Sequence, residues 1–381
     1  MEELERAQEL FFEKFNGKPE VVSFAPSRVN VIGEHTDYNE GFVMPAALNR
    51  VTAFAGRRRD DDKAVVYSHT LKRTVYWDVK VLEKTGDFSD YLKGVIKHLP
   101  HPPGGFEAVI YSSVPVGAGV SSSAALEVSF TNFLNELFSL NLSKEAVVKI
   151  AHQAEYNFVG VRCGIMDQYI AVHARKDHLL LIDTRKQNHL YVPFPEKWML
   201  AVVDSRVKRE LNASEYNRRR HECEEVVKII SRYKPDIKSL RDLDEQTLFR
   251  FKSELSPTHF KRAMHVISEN KRVLEIAEYM KKRDRCMIEK TMALAHKSLA
   301  EDFEVSIPEI DFLVEAASSL PWVYGARLTG AGFGGSIVVL LEAGHESQLE
   351  EFLRKKYMEK FDREPGFIFS RPFQAGAAYR L

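Results

Sequence analysis

Apolar residues recur at three- and four-residue spacing through Leu4, Ala7, Leu10, Phe11 and Phe15, which predicts an amphipathic helix ended near Gly17. The period then shortens. Residues 21–25 and 28–32 read as strand with a kink at Pro26, and residues 51–56, 65–68 and 74–79 continue in β-branched and aromatic residues. Residues 91–99 return to a helical pattern, residues 106–111 to a strand, and residues 122–137 and 144–158 to two helices, the second capped by Ser143. After a short strand at 178–183, residues 184–197 carry Pro193 and Pro195 and read as a crossing between domains. A strand at 199–204, a run of helices over 216–320, strands at 323–328 and 337–341, a helix at 347–361 and a strand-like tail complete the chain.

Strands dominate the first half and helices the second. That pattern predicts an α+β protein of two lobes, 1–190 and 191–381, with a final strand able to return to the N-terminal lobe. The length of 381 residues supports the division, because a single core rarely grows so large.

Residues 114–126 read Val-Pro-Val-Gly-Ala-Gly-Val-Ser-Ser-Ser-Ala-Ala-Leu and lie between a strand and a helix. Glycines let the backbone turn tightly, and a helix start offers free N–H groups and hydroxyls to an anion such as phosphate. The stretch lacks the Gly-Lys-Ser/Thr close of a P-loop and the third glycine of a dinucleotide fingerprint. A second cluster, Arg28-Val-Asn-Val-Ile-Gly-Glu34-His35-Thr-Asp37-Tyr38-Asn39, suits a metal, paired sugar hydroxyls or a self-capping turn. In Arg162-Cys163-Gly164-Ile165-Met166-Asp167-Gln168, Asp167 follows a glycine turn in an apolar run, which suits a general base or a helix-capping carboxylate. Glu155, one helix earlier, is a candidate Mg²⁺ ligand beside such a phosphate loop. Thr329-Gly-Ala-Gly-Phe-Gly-Gly335 lies between two strands and suits a tight turn or a lid over a ligand.

Lys plus Arg equals Asp plus Glu at 54 each, which excludes a broad nucleic-acid or anionic-membrane footprint. Three widely spaced cysteines match neither a disulfide framework nor a zinc motif and suit a reducing cytoplasm. The acidic N-terminal stretch is unlike a signal peptide, and no apolar run approaches the roughly 18 residues of a membrane span.

Together, the Gly-Glu-His-Thr-Asp-Tyr-Asn run, the serine-rich loop and the late glycine loop resemble the three motifs of the superfamily of galactokinase, homoserine kinase, mevalonate kinase and phosphomevalonate kinase. Residues 28–41, the Cys163-Gly-Ile-Met-Asp-Gln run and the Ser214-Glu-Tyr-Asn-Arg-Arg-Arg run resemble the galactokinase branch, and the match runs from about residue 25 to the end. The resemblance implies a ribosomal-protein-S5-like N-terminal lobe, a ferredoxin-like C-terminal lobe and an active site in the cleft between them. It implies phosphorylation of the C1 hydroxyl of D-galactose, the first committed step of galactose use. The alternatives are a kinase for N-acetylgalactosamine, galacturonate or arabinose, and a non-catalytic galactose sensor, which the intact Ser-Ser-Ser-Ala-Ala disfavours.

It also implies residue roles. Asp167 would take the sugar proton, and Arg28 would steady its charge and that of the transferring phosphoryl group. Glu34, His35, Asp37, Gly164 and Tyr216 would join Asp167 in binding the sugar. Gly117, Ala118, Gly119, Val120, Ser121, Ser122 and Ser123 would wrap the ATP phosphates, with Phe88 and Tyr91 around adenine. Ser123 and Glu155 would hold Mg²⁺. At Phe88 and Asp90 the family often has Trp and Asn, so the adenine pocket departs from the pattern. A monomer acting on small molecules is the expected form.

Overall fold

The computed structural model describes residues 1–115, 117–207 and 212–381, with side chains left out at 212–214. Val116 of the serine-rich stretch and the side chain of Ser214 therefore lie outside the described residues. The described residues build three sheets. A six-stranded sheet runs in the order Ala377–Arg380, Val21–Asn30, Pro45–Arg58, Phe106–Ser112, Lys63–Ser68 and Arg73–Asp78. A four-stranded sheet runs Val323–Thr329, Ser336–Glu342, Trp198–Asp204 and Gly366–Ser370. A three-stranded sheet pairs Phe42–Val43, His178–Asp183 and Asn188–Pro193.

Two runs read separately in the sequence are one strand, Val21–Asn30, buried along its whole length. Pro26 has no N–H to give to the ladder, and the register with Pro45–Arg58 shifts between Pro26 and Arg28. The shift delivers Arg28 beneath the serine-rich stretch, where its amide donates to the carbonyl of Val120 at 3.1 Å. Lys63–Ser68 and Phe106–Ser112 pair in parallel, which requires a crossover; the helix Ser89–His98 lies in it. Helix Ser122–Phe138 lays Phe130 and Phe133 against Phe54 of the sheet, with ring centroids 5.3 and 5.9 Å apart.

The C-terminal lobe follows a β-α-β-β-α-β order. Trp198–Asp204 lies between Ser336–Glu342 and Gly366–Ser370, and all pairings are antiparallel, which is the ferredoxin-like arrangement. The last strand leaves this lobe and pairs Arg380 with Val21.

Two expectations need correction. Residues 184–197 are not a bare crossing: Asn188–Pro193 forms a hairpin strand, with His178 opposite Pro193. Most of its side chains are exposed, so the prolines outweighed a faint alternation. The helix expected over 144–158 is α-helical only at Lys144–Gln153, where Ser143 Oγ caps the Ala146 amide at 3.2 Å. Ala154–Val159 then widens into a π turn. The amides of Gly160 and Val161 both donate to the Glu155 carbonyl, at 2.9 and 3.1 Å, and such turns often mark functional positions. No helix among the described residues is long and apolar enough to cross a membrane.

Candidate active site

A cleft of about 940 Å³ opens between the two lobes. One wall is the serine-rich loop. Gly117 (φ 82°) and Gly119 (φ 78°) take the left-handed conformation that glycine adopts freely. Ser121 follows at φ 60° as the N-cap of helix Ser122–Phe138, with no side-chain cap bond, so the first helical N–H groups face the cleft without that partner. Gly117, Gly119, Val120, Ser121, Ser122 and Ser123 line the cleft. Ala118 does not: it is buried in the core, and its carbonyl accepts from Ser336 Oγ at 2.7 Å.

Asp167 stands in the first turn of the helix Met166–His173, within reach of that wall. Arg28 donates to it from Nε and Nη2, both at 2.7 Å, and from Nη1 to the Gly119 carbonyl, also at 2.7 Å. One guanidinium thus ties the carboxylate to the loop through a bidentate fork. The Ser121 hydroxyl also donates to Asp167 Oδ2. This differs from its expected duty of touching phosphate alone.

Behind the loop stands an acidic pair. Glu155 lies close to the Ser123 hydroxyl, and its Oε2 accepts from Gln168 Nε2 at 2.7 Å. Burial, then Asp167 nearby, pushes Glu155 up to about 7. Gln168 Nε2 also reaches Glu127 Oε2 at 3.1 Å, and burial holds the Glu127 carboxyl well above its usual range. Sequence reading passed over Glu127, although it stands among apolar residues of a buried helix face. Two hard-oxygen donors, Ser123 and Glu155, suit Mg²⁺, which takes its remaining ligands from water and phosphate. Among the described residues no group of three His, Cys, Asp or Glu side chains forms a metal cage.

The other end of the cleft is built from the Glu34–Tyr38 turn. Asp37 Oδ1 accepts from the Tyr38 amide at 2.7 Å. Burial and the Asp167 charge push Asp37 up to about 6. A Cβ on Gly164 would meet Asp37 Oδ2 at 2.0 Å, so glycine permits this close approach. His35 is buried, with Nδ1 2.9 Å from the Tyr38 hydroxyl and its ring 5.7 Å from that of Tyr216. Burial, with His265 next, lowers it to about 3, which leaves the imidazole neutral. Glu34 lines the cleft yet is already engaged: its Oε1 accepts from Thr329 Oγ1 at 3.2 Å and the Gly330 amide at 3.1 Å, and Arg327 pairs with it.

Tyr91 reaches the cleft wall, whereas Phe88 packs on the apolar cluster beneath the first sheet and is not part of the lining. Asp90 accepts the amides of Thr85 and Gly86, each at 2.8 Å, and so shapes a turn. In the basic run after Tyr216, Arg218 is exposed, whereas Arg219 is buried and donates to the Phe303 and Glu304 carbonyls at 2.8 and 2.9 Å. Cleft-lining Arg206 and Ala331 had no part in the sequence reading as individual contacts.

A carboxylate gripped by arginine, an anion-ready helix start and hard oxygens between two such lobes define a kinase of the GHMP class. Family models agree: the GHMP kinases N-terminal domain matches residues 90–175, the GHMP kinases C-terminal domain residues 276–359, and the galactokinase galactose-binding signature residues 9–58. Galactokinase of Roseiflexus sp. is 42% identical over 360 residues, 93% of this chain and 92% of the relative. That of Canis lupus familiaris is 41% identical over 93% of this chain and 92% of its own. The crystal structure of Lactococcus lactis galactokinase complexed with galactose superposes with a TM-score of 0.92 at 30% identity, covering 98% of both chains. Methanococcus jannaschii mevalonate kinase shares the fold, with a TM-score of 0.65 at 18% identity over 93% of this chain and 98% of its own. The chain belongs to the galactokinase family.

Proposed function

We propose that the chain phosphorylates D-galactose at C1, with ATP as donor and Mg²⁺ as cofactor. The observation that carries this reading is the Arg28–Asp167 fork, set between the helix-start loop and the Asp37–Gly164 contact. Asp167 is the base. Among the described residues its Oδ2 accepts from Arg28 and Ser121 and its Oδ1 from Arg28 alone, so a lone pair on Oδ1 is open to the C1 hydroxyl. As that proton passes to Asp167, the C1 oxygen bonds to the γ-phosphorus, the bond to the β-phosphate oxygen breaks and ADP leaves. Such transfer depends mainly on alignment and charge neutralisation.

Glu34, His35, Asp37, Gly164 and Tyr216 hold the sugar in this reading. Backbone amides of the 117–123 loop and the hydroxyl of Ser122 hold the phosphates, and Tyr91 borders the adenine. Ser123 and Glu155 would hold Mg²⁺, which would spread the charge of the β- and γ-phosphates. The neutral His35 suits a role as a hydrogen-bond partner of a hydroxyl. Unpaired Cys163, Cys223 and Cys286 support a reducing, cytoplasmic setting.

The test is a sugar panel with ATP and Mg²⁺, following ADP release and the sugar 1-phosphate. Galactose should give the highest kcat/KM. A higher value for N-acetylgalactosamine, galacturonate or arabinose would replace galactose as the substrate. Absence of turnover on every sugar would overturn the kinase reading.

A further inference from the structure

Buried charges from three separate elements meet behind the Glu34 turn. Arg327 stands in the strand Val323–Thr329 and is 0% exposed. It pairs with Glu34, donates from Nη1 to the Val31 carbonyl at 3.0 Å, and places Nη2 3.4 Å from Glu269 Oε1. Glu269, on helix Pro257–Lys282, is likewise 0% exposed. Its Oε1 accepts from the Gly33 amide at 3.0 Å and its Oε2 from Arg272 Nε at 2.7 Å. His265, one turn earlier, places Nε2 3.2 Å from the Glu34 carbonyl oxygen. Two acids and two arginines alternate as Glu34, Arg327, Glu269, Arg272, and all but Glu34 come from the C-terminal half of the chain.

A buried ion chain is a weak stabiliser, because desolvation offsets most of the attraction; apolar residues would join the lobes as well. What this chain supplies is location. Glu34 cannot turn without giving up its pairing with Arg327 and the hydrogen bonds from Thr329 Oγ1 and the Gly330 amide, and the Gly33 turn is pinned by Glu269. Gly33 itself has no room for more: a Cβ there would meet the Phe42 carbonyl oxygen at 2.6 Å. The serine-rich loop is held separately, by Arg28 at Gly119 and Ser336 at Ala118.

We infer that Arg327 and Glu269 are positioning residues for the sugar subsite, fixing the Glu34 carboxylate and the Gly33 turn from the opposite lobe. Sugar affinity then depends on an ion chain set behind the cleft, while ATP affinity does not. The inference rests on the assignment of the cleft to a sugar and ATP.

Arg327→Lys keeps the charge but cannot serve Val31, Glu34 and Glu269 together, since an ammonium lacks the planar fork. Glu269→Gln keeps an acceptor for Gly33 but removes the counter-charge. Each variant is compared with the parent by galactose KM, ATP KM and calorimetric galactose binding in the absence of ATP. The expected result is a galactose KM and Kd raised about tenfold or more in Arg327→Lys and a few-fold in Glu269→Gln, with ATP KM within about twofold. Equal rises in both KM values, or unchanged galactose binding in folded variants, would overturn the inference. Failure of both variants to fold would make the chain a folding element and overturn it equally. Should only one fold, that one decides. A parent enzyme inactive on galactose would instead strike at the assignment of the cleft.

Discussion

Arg28 holds both oxygens of Asp167 at 2.7 Å and, with its remaining nitrogen, the carbonyl of Gly119 at the same distance. The residue that orients the proposed base therefore also ties down the serine-rich loop. In Asp167→Asn the amide retains size and part of the hydrogen bonding but cannot take a proton. Turnover should fall by about 10²–10⁴-fold while galactose still binds. Steady-state rates paired with calorimetry of the unreactive variant check this; near-normal turnover would remove Asp167 from the role of base.

Arg28→Lys separates charge from geometry. A lysine can meet one of the three acceptors but cannot bridge them. The expected outcome is a kcat loss of roughly 10²-fold with a rise in ATP KM, because Gly119 loses its tether as well. A variant that loses kcat alone would show that the loop holds its shape without Arg28.

Gly164→Ala tests the close approach at the sugar end. Its backbone can accept a side chain, but the added Cβ would meet Asp37 Oδ2 at 2.0 Å. Asp37 cannot simply swing away, since Oδ1 accepts from the Tyr38 amide. Galactose KM should rise about tenfold or more, with ATP KM little changed. Unaltered galactose KM would show that Asp37 has room the contact distance does not reveal.

How much of this was legible in the sequence depends on the range of the interactions. The serine-rich loop, the Glu34–Tyr38 turn and the Gly164–Asp167 segment carry their chemistry in consecutive residues, and glycines mark their turns. Arg28 was visible as part of such a run, and its link to Asp167, 139 positions away, came chiefly through the family resemblance; its added bond to the Gly119 carbonyl was not visible. Arg327 and Glu269 escaped for the same reason, meeting partners 296 and 236 positions distant. A weak signal existed: an arginine in the run Val-Tyr-Gly-Ala-Arg-Leu-Thr cannot point to solvent if the strand is buried on both faces. Phe88 illustrates the opposite failure. Its aromatic character suited an adenine pocket, but the same character suits the apolar cluster where it packs.

Glu155 gives a prediction about metal affinity and pH. Its carboxyl is pushed up to about 7, by burial first and by Asp167 second, and a metal ligand must be deprotonated. Mg²⁺ binding then competes with a proton near neutrality. Apparent Mg²⁺ affinity should strengthen as pH rises from 6 to 8, by up to about tenfold, and level off above. Titration at a series of pH values, with saturating ATP and galactose, checks this. In Glu155→Gln the dependence should flatten while overall Mg²⁺ affinity falls; a dependence that persists would place the titrating group elsewhere.

Asp37 should show the conflict between function and stability most directly. Its folded value of about 6 lies above the reference 3.8. A carboxyl raised in this way contributes its stability fully below pH 3.8, and loses it as pH rises through 6. Above that the folded protein carries a half-buried charge near Asp167, at a cost of up to about 3 kcal/mol. Asp37→Asn removes the charge, and its Oδ1 can still accept from the Tyr38 amide. The variant without ligands should therefore melt a few °C higher than the parent at pH 8, by about 2–4 °C per kcal/mol, and match it near pH 4. Because Asp167 is the second cause of the shift, the gain should shrink in an Asp167→Asn background. Galactose affinity should fall in the same variant, since a carboxylate that can accept two hydroxyls has been replaced. Melting curves across pH for the two single variants and the double variant decide the matter. A variant less stable than the parent at pH 8 would mean that the Asp37 charge is compensated in the folded protein.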